Sequence, residues 1–229
     1  MRCHSLVSWR ATRAPRRHRV EGVDALRQLL SLLAPPRCAA CGAGCPGAVL
    51  LCRRCERSLQ ATLPPVAAGP PGLDAAWAAA PHDGVARELV VALKFRSLLP
   101  VARLMARRIA EGAPGGVLGG TVVPVPPATS RLLRRGFDPA EEIASQLAAL
   151  TRLPHDRCLS RAEGPRQVGR TRAARLASPP RVWTTGPAPA VALLVDDVQT
   201  TGSTLTACAR ALRRAGAERV CAVTFARTL

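Results

Sequence analysis

The sequence predicts an α/β fold, a parallel sheet covered by helices on both faces, with a small cysteine-rich unit ahead of it. Three observations carry this. Beyond residue 73, apolar stretches of strand length alternate with stretches of helical period, the order that builds a parallel sheet. One of those strands, 191–196, is apolar until it meets two acids and a Thr/Gly/Ser turn that opens a helix. Upstream, two CxxC pairs stand ten residues apart.

Composition limits what such a chain can be. With 229 residues and 48% hydrophobic side chains it has the material for a core, so global disorder is excluded. No run approaches the eighteen or so apolar residues of a membrane-spanning helix, and none is expected. The formal charge is +18, from 33 basic against 15 acidic side chains, and Lys94 is the single lysine. A GC-rich coding background explains arginine in place of lysine but not the shortage of acids, so the charge points to an anionic partner. Aromatic residues are 3% of the chain; Trp9, Trp77, Trp183, Phe95, Phe137 and Phe225 are expected mostly in the core, which argues against a single-strand binder of the stacking type.

The elements follow in order. Residues 1–20 carry six arginines, no acid and no apolar run, so they do not resemble a secretory signal. They read as a basic disordered tail, a nucleic-acid contact, or the product of a start codon assigned too early; without them the chain keeps +12. Residues 21–63 form a second unit. Asp24 caps a short helix with Leu26, Leu29, Leu30 and Leu33 on one face, and Pro35-Pro36 stops it. Cys38, Cys41, Cys52 and Cys55 then provide four thiolates on two tight turns, Gly42 serving the first and residues 49–51 a returning hairpin strand. This is the donor set of a structural Zn²⁺, four-coordinate and closed to water, with a redox dithiol or an iron–sulfur site as the other readings. Cys45 is a spare thiol or a substitute ligand. Nine cysteines without a secretory signature place the chain in a reducing cytoplasm.

Residues 64–73 are a Pro/Gly linker and 74–229 the sheet domain. Strands are expected at 75–80, 121–126, 191–196 and 219–225, and helices at 85–93, 98–110, 139–150 and 203–214. Residues 152–190 show no period and read as a long binding segment or lid. After the strand at 191–196, the backbone N–H groups of Thr200, Thr201, Gly202 and Ser203 converge at the positive end of a helix, with hydroxyls from Thr200, Thr201, Ser203 and Thr204. Gly202 supplies the positive φ of such a nest. That arrangement suits a phosphate dianion. Asp196 and Asp197 stand too close to the anion to bind it, and suit a sugar diol or Mg²⁺.

This stretch resembles the 5-phosphoribosyl 1-diphosphate (PRPP) signature of type I phosphoribosyltransferases. With the four-cysteine ribbon it resembles the ComF family of competence proteins over residues 24–228. Further landmarks are Leu93-Lys94-Phe95-Arg96, Val123-Pro124-Val125-Pro126, Arg134-Arg135-Gly136-Phe137-Asp138 and Arg166-Gln167-Val168-Gly169. The resemblance implies that Asp196 and Asp197 contact the ribose and that Thr200, Thr201, Gly202, Ser203 and Thr204 hold the 5-phosphate. It places Val125 and Pro126 at a diphosphate loop, with Lys94 reaching toward the diphosphate. Arg166, Arg170, Arg172 and Arg175 fall on a lid; residues 157–181 hold seven arginines against Glu163. Three positions depart from the pattern: Asp138 where the family has Asn, Arg170 for Leu, and Ser178 for Asn.

The implied reaction is displacement at ribose C1, in which Mg²⁺-bound diphosphate leaves and a nitrogenous acceptor adds, by positioning and charge stabilisation alone. His82 and His155 are base candidates by residue type only. The alternative is a non-catalytic PRPP sensor that binds single-stranded DNA beside a competence helicase during DNA uptake.

Overall fold

The computed structural model describes residues 36–45, 49–60, 69–162 and 180–228. The expected helix at 24–33, the basic tail and most of the arginine-rich lid lie outside these residues.

The first described unit is the cysteine-rich one. Cys38 N–H bonds Ala43 O and Gly42 N–H bonds Cys38 O, closing the first knuckle, and an antiparallel bridge joins Arg37 to Gly44. The second knuckle opens directly into helix α1, Arg53–Gln60. Residues 49–51 form no strand, contrary to expectation. Leu50 and Leu51 are used instead to hold the knuckles, the first through its carbonyl, which accepts from Ala39 N–H, the second by burial beside Cys55 and Leu59.

The sheet domain follows the predicted alternation: strand β1, Ala75–Pro81, helices α2, Gly84–Arg96, and α3, Pro100–Gly112, then strand β2, Thr121–Pro124. A short helix absent from the sequence reading, α4, Thr129–Arg135, comes next, and then α5, Pro139–Thr151. Residues 152–190 are not featureless: strands β3, Leu159–Arg161, and β4, Val182–Thr184, pair antiparallel. Strand β5, Val191–Gln199, helix α6, Ser203–Arg214, and strand β6, Arg219–Arg227, complete the domain.

The main sheet runs β1-β6-β5-β2, and every pairing is parallel. Its outer strand β2 is covered by the chain after α5, where Val122 N–H bonds Pro154 O and Asp156 N–H bonds Val122 O. The strands are apolar over the stretches that bury both faces, residues 192–195 of β5 and 220–223 of β6 among them. Val122, Leu193, Val223 and Phe225 pack under α2, α3 and α5, while Val123, Leu194 and Ala222 pack on the other face with Leu205, Cys208 and Leu212 of α6. The ribbon does not have a core of its own: Cys38, Leu51, Cys55 and Leu59 belong to the same apolar cluster as Leu89, Leu93 and Val101. Arg96 donates to Ala39 O at 3.4 Å and Arg108 to Leu59 O at 3.1 Å across that contact.

Three aromatic residues depart from expectation. Trp77 and Phe225 are buried, but Phe95 and Trp183 are exposed and Phe137 is half-buried.

Candidate functional site

The C-terminal edge of a parallel sheet is where open α/β folds bind ligands, because the strand ends and helix N-termini meet there. Here that edge opens into a cavity of about 520 Å³. Asp196, Asp197, Lys94, Val125, Pro126, Thr200, Thr201, Ser203 and Thr204 all line it, so the structure brings together residues 110 positions apart in sequence. Arg166, Arg170, Arg172 and Arg175 lie outside the described residues.

The turn between β5 and α6 has the positive φ at Gly202 that its sequence predicts. Gly202 is the N-cap of α6 at φ 73° and, as a glycine, has no side chain to cap the helix. Thr201 Oγ1 donates to Ser203 Oγ at 3.0 Å and receives a long bond from Ser203 N–H at 3.4 Å. The turn into α6 therefore presents backbone donors and the four hydroxyls of Thr200, Thr201, Ser203 and Thr204 to the cavity. Behind the turn stands Pro70: a Cβ on Gly202 would lie 2.5 Å from its Cγ.

The two acids are separated by the strand that carries them. β5 does not end at Asp196 but runs on to Gln199, so consecutive side chains leave opposite faces. Asp197, buried, pairs with Lys94 of α2, Nζ to Oδ2 at 2.8 Å. Asp196 stands on the α6 side, where burial and the Asp196 charge together raise the Cys208 thiol. Burial, then the Asp197 charge, hold the Asp196 carboxyl well above the ordinary range, with Lys94 opposing. Its Oδ1 accepts from Asp197 N–H at 2.8 Å. Lys94, expected to face a diphosphate, is held by Asp197.

The turn after β2 provides surface rather than donors. Val125 N–H is bonded to Val195 O at 2.9 Å, and Pro126 and Pro127 have no N–H. Charge on this wall comes from α4, whose Arg131, Arg134 and Arg135 line the cavity at i, i+3 and i+4. With Arg87 and Arg161 they bring the lining to six cations against Asp138, Asp196 and Asp197. Sequence reading gave these arginines no role. The signal was present, as arginine at helical spacing between a Pro pair and Gly136, but the segment is too short for a periodicity argument.

Two further residues belong to the site. Asp138 is 8% exposed and caps α5, its Oδ1 accepting from Ala140 N–H at 3.1 Å. Burial outweighs that bond and its neighbour from Glu141 N–H, and pushes the carboxyl up to about 6. His82 lines the cavity after β1; burial, Lys94 and Arg87 lower its pKa, which keeps the imidazole neutral. His155 does not reach the cavity and sits 3.5 Å from Glu141 instead.

The cysteines form one cluster. The sulfurs of Cys38, Cys41, Cys52 and Cys55 lie within 4.8 Å of one another, and Cys41 Sγ to Cys52 Sγ is 3.8 Å. A tetrahedron with bonds of about 2.3 Å has edges of about 3.8 Å, so the donor set fits zinc. Burial opposes ionisation of Cys38, but N–H groups of Cys41, Cys52 and Ala40 prevail and bring it down to about 6. Cys45 stands outside the cluster, against Ala43 O at 3.8 Å.

Residues 131–228 match the family model described as phosphoribosyl transferase domain. The parallel sheet with helices on both faces is accordingly the type I phosphoribosyltransferase fold. Among solved structures, the chain is similar to the glutamine PRPP amidotransferase of B. subtilis complexed with ADP and GMP, at 20% identity and a TM-score of 0.36. That similarity covers 54% of this chain and 25% of the amidotransferase, so the match spans about a quarter of that protein's length. No curated protein matches the chain. Among the described residues, no helix is long and apolar enough to cross a membrane.

Proposed function

We propose that the cavity binds PRPP with Mg²⁺ and that the protein is a phosphoribosyltransferase acting on a nitrogenous acceptor. The observation that carries this is the meeting, in one cavity, of the hydroxyl-rich α6 N-terminus, the Asp196–Asp197 pair and Lys94. The 5-phosphate takes the Thr200–Thr204 turn, where N–H and hydroxyl donors meet the helix dipole. The ribose hydroxyls and Mg²⁺ fall to the two carboxylates. Bound Mg²⁺ supplies charge neutralisation to the diphosphate. Lys94 would leave Asp197 for the diphosphate when a metal or hydroxyl takes its place, and Arg166, Arg170, Arg172 and Arg175 are the further cations offered to the leaving group. Neutral His82 is the available proton acceptor.

Calorimetry of the full chain with PRPP and Mg²⁺ tests this. Wild type binds; Asp197→Ala weakens binding by about 1.5–3 kcal/mol, one charged hydrogen bond. Asp197→Asn does less harm if the partner is a hydroxyl and more if it is Mg²⁺. Ribose 5-phosphate competes more weakly than PRPP. No binding by wild type at millimolar PRPP overturns the reading.

The net charge of +18 favours a second reading, in which PRPP is sensed rather than consumed and the protein binds single-stranded DNA beside a competence helicase during DNA uptake. Diphosphate release from PRPP with a panel of acceptors, with and without oligo(dT), separates the two.

A further inference from the structure

The PRPP reading leaves one wall of the cavity without a use. α2 presents Arg87, Val91, Lys94 and Phe95 to the cavity at i, i+4, i+7 and i+8, while Leu89 and Leu93 face the core. Phe95 is 67% exposed and is the one aromatic hydrocarbon ring among the described residues that line the cavity. The Arg135 guanidinium lies over its ring, 5.3 Å from the centroid. Arg135 Nε is shielded from water and has no acceptor among the described residues. No residue of α4 is buried, so core packing does not explain the helix. Arg131, Arg134 and Arg135 make no ion pair with any described residue.

Phosphates alone do not account for this wall. A diphosphate finds partners in arginine, but it gains nothing from an exposed phenyl ring. A planar ring does, because stacking on an aromatic face removes the apolar faces of both rings from water. A guanidinium above a ring suits an electron-rich aromatic edge, and an arginine fork suits a carboxylate better than any neutral group. We infer that Phe95 and the α4 arginines form the acceptor's half of the site, and that the acceptor is a small heteroaromatic carboxylate stacked on Phe95 with its charge held by Arg131, Arg134 and Arg135. The inference names the acceptor class within the PRPP reading and rests on it.

The test is calorimetry of the full chain against matched pairs, orotate with uracil and nicotinate with nicotinamide, each titrated without PRPP and with PRPP and Mg²⁺ present. At least one carboxylate binds tenfold or more tightly than its neutral counterpart. Phe95→Ala and Arg135→Gln each weaken that carboxylate tenfold or more and shift PRPP affinity less than twofold; Phe95→Tyr restores carboxylate binding. Equal affinity for both members of each pair, insensitivity to Phe95→Ala, or no carboxylate binding while PRPP binds overturns the inference alone. Carboxylate binding lost in Phe95→Ala, in a wild-type chain that does not bind PRPP, overturns the PRPP reading and leaves the aromatic-anion site standing. Oligo(dT) binding that falls with Phe95→Ala while no carboxylate binds assigns the wall to nucleic acid and also overturns it.

Discussion

The cysteine cluster and the cavity both gather charge, and they differ in how much of it is answered within the chain. The cluster draws four thiols from residues 38–55 and places their sulfurs within 4.8 Å of one another, a donor set that one zinc ion would close. The cavity draws on residues from His82 to Thr204 and leaves much unanswered: a helix end with a glycine N-cap, three arginines without an ion pair among the described residues, an exposed phenylalanine and a buried acid. A set that closes on itself serves stability, and a set that stays open describes its ligand.

The largest expected effect breaks the closed set. Metal analysis of the purified chain should find one zinc, and Cys55→Ser or chelation should release it. Metal binding in such sites is worth on the order of 10 kcal/mol, so the ribbon should unfold. Because Cys38, Leu51, Cys55 and Leu59 share a core with Leu89 and Leu93, the damage should extend beyond residue 60. Hydrogen exchange should show protection lost first over 37–60 and then over α2. Iron in place of zinc, or a ribbon that stays protected without metal, removes the contrast.

A smaller effect tests the open set. Gly202→Val forces a β-branched residue to φ 73° and drives its Cβ into Pro70. The left-handed backbone costs about 1–2 kcal/mol and the overlap about 1–3 kcal/mol, and both act on the turn assigned to the 5-phosphate. Stability in urea should fall by about 2–5 kcal/mol and PRPP binding should be lost. Gly216→Ala is the control: it too has positive φ, 100°, but a Cβ there meets nothing. It should lose about 1–2 kcal/mol and bind PRPP normally. Normal PRPP binding by Gly202→Val would detach the turn from the ligand.

What was legible in the sequence follows the same division. The knuckles, the strand into Asp196 and Asp197, and the Thr/Gly/Ser turn are contiguous, so residue type and spacing sufficed to read them. The Lys94–Asp197 pair joins positions 103 apart, and no local pattern announces that the lysine faces a carboxylate. α4 has no apolar stripe because it buries nothing, so the periodicity that finds helices has nothing to find. Phe95 was expected inside because large apolar residues usually are; it is outside because α2 gives its other face to Leu89 and Leu93. Residues 49–51 are apolar for the ribbon's contact with the sheet domain, not for a hairpin.

The smallest effect concerns Asp138, which combines both regimes: its bonds are made, yet its charge is not answered. The carboxylate is 8% exposed, accepts from Ala140 N–H, and still has its pKa raised to about 6, first by burial and then by Glu141 and Asp197. In the unfolded chain it titrates near the ordinary aspartate value of 3.8. The folded protein therefore holds the proton more tightly, and ionisation opposes folding. That opposition is complete above about pH 6, fades as pH falls from 6 toward 3.8, and is absent below. Asn at this position, the residue the ComF-like pattern carries, keeps an oxygen for Ala140 N–H, caps as well as Asp, and has no charge to bury. Asp138→Asn should therefore be more stable than wild type at pH 8, by on the order of 1–3 kcal/mol, and the two should converge near pH 4. Urea unfolding at pH 8, 6 and 4.5 measures this. Equal stability at all three, or a more stable wild type at pH 8, would mean that the carboxylate is answered by a cation of the cavity. Asp138 would then belong with Lys94 and Asp197 in the ligand's charge balance, and not with the cap of α5.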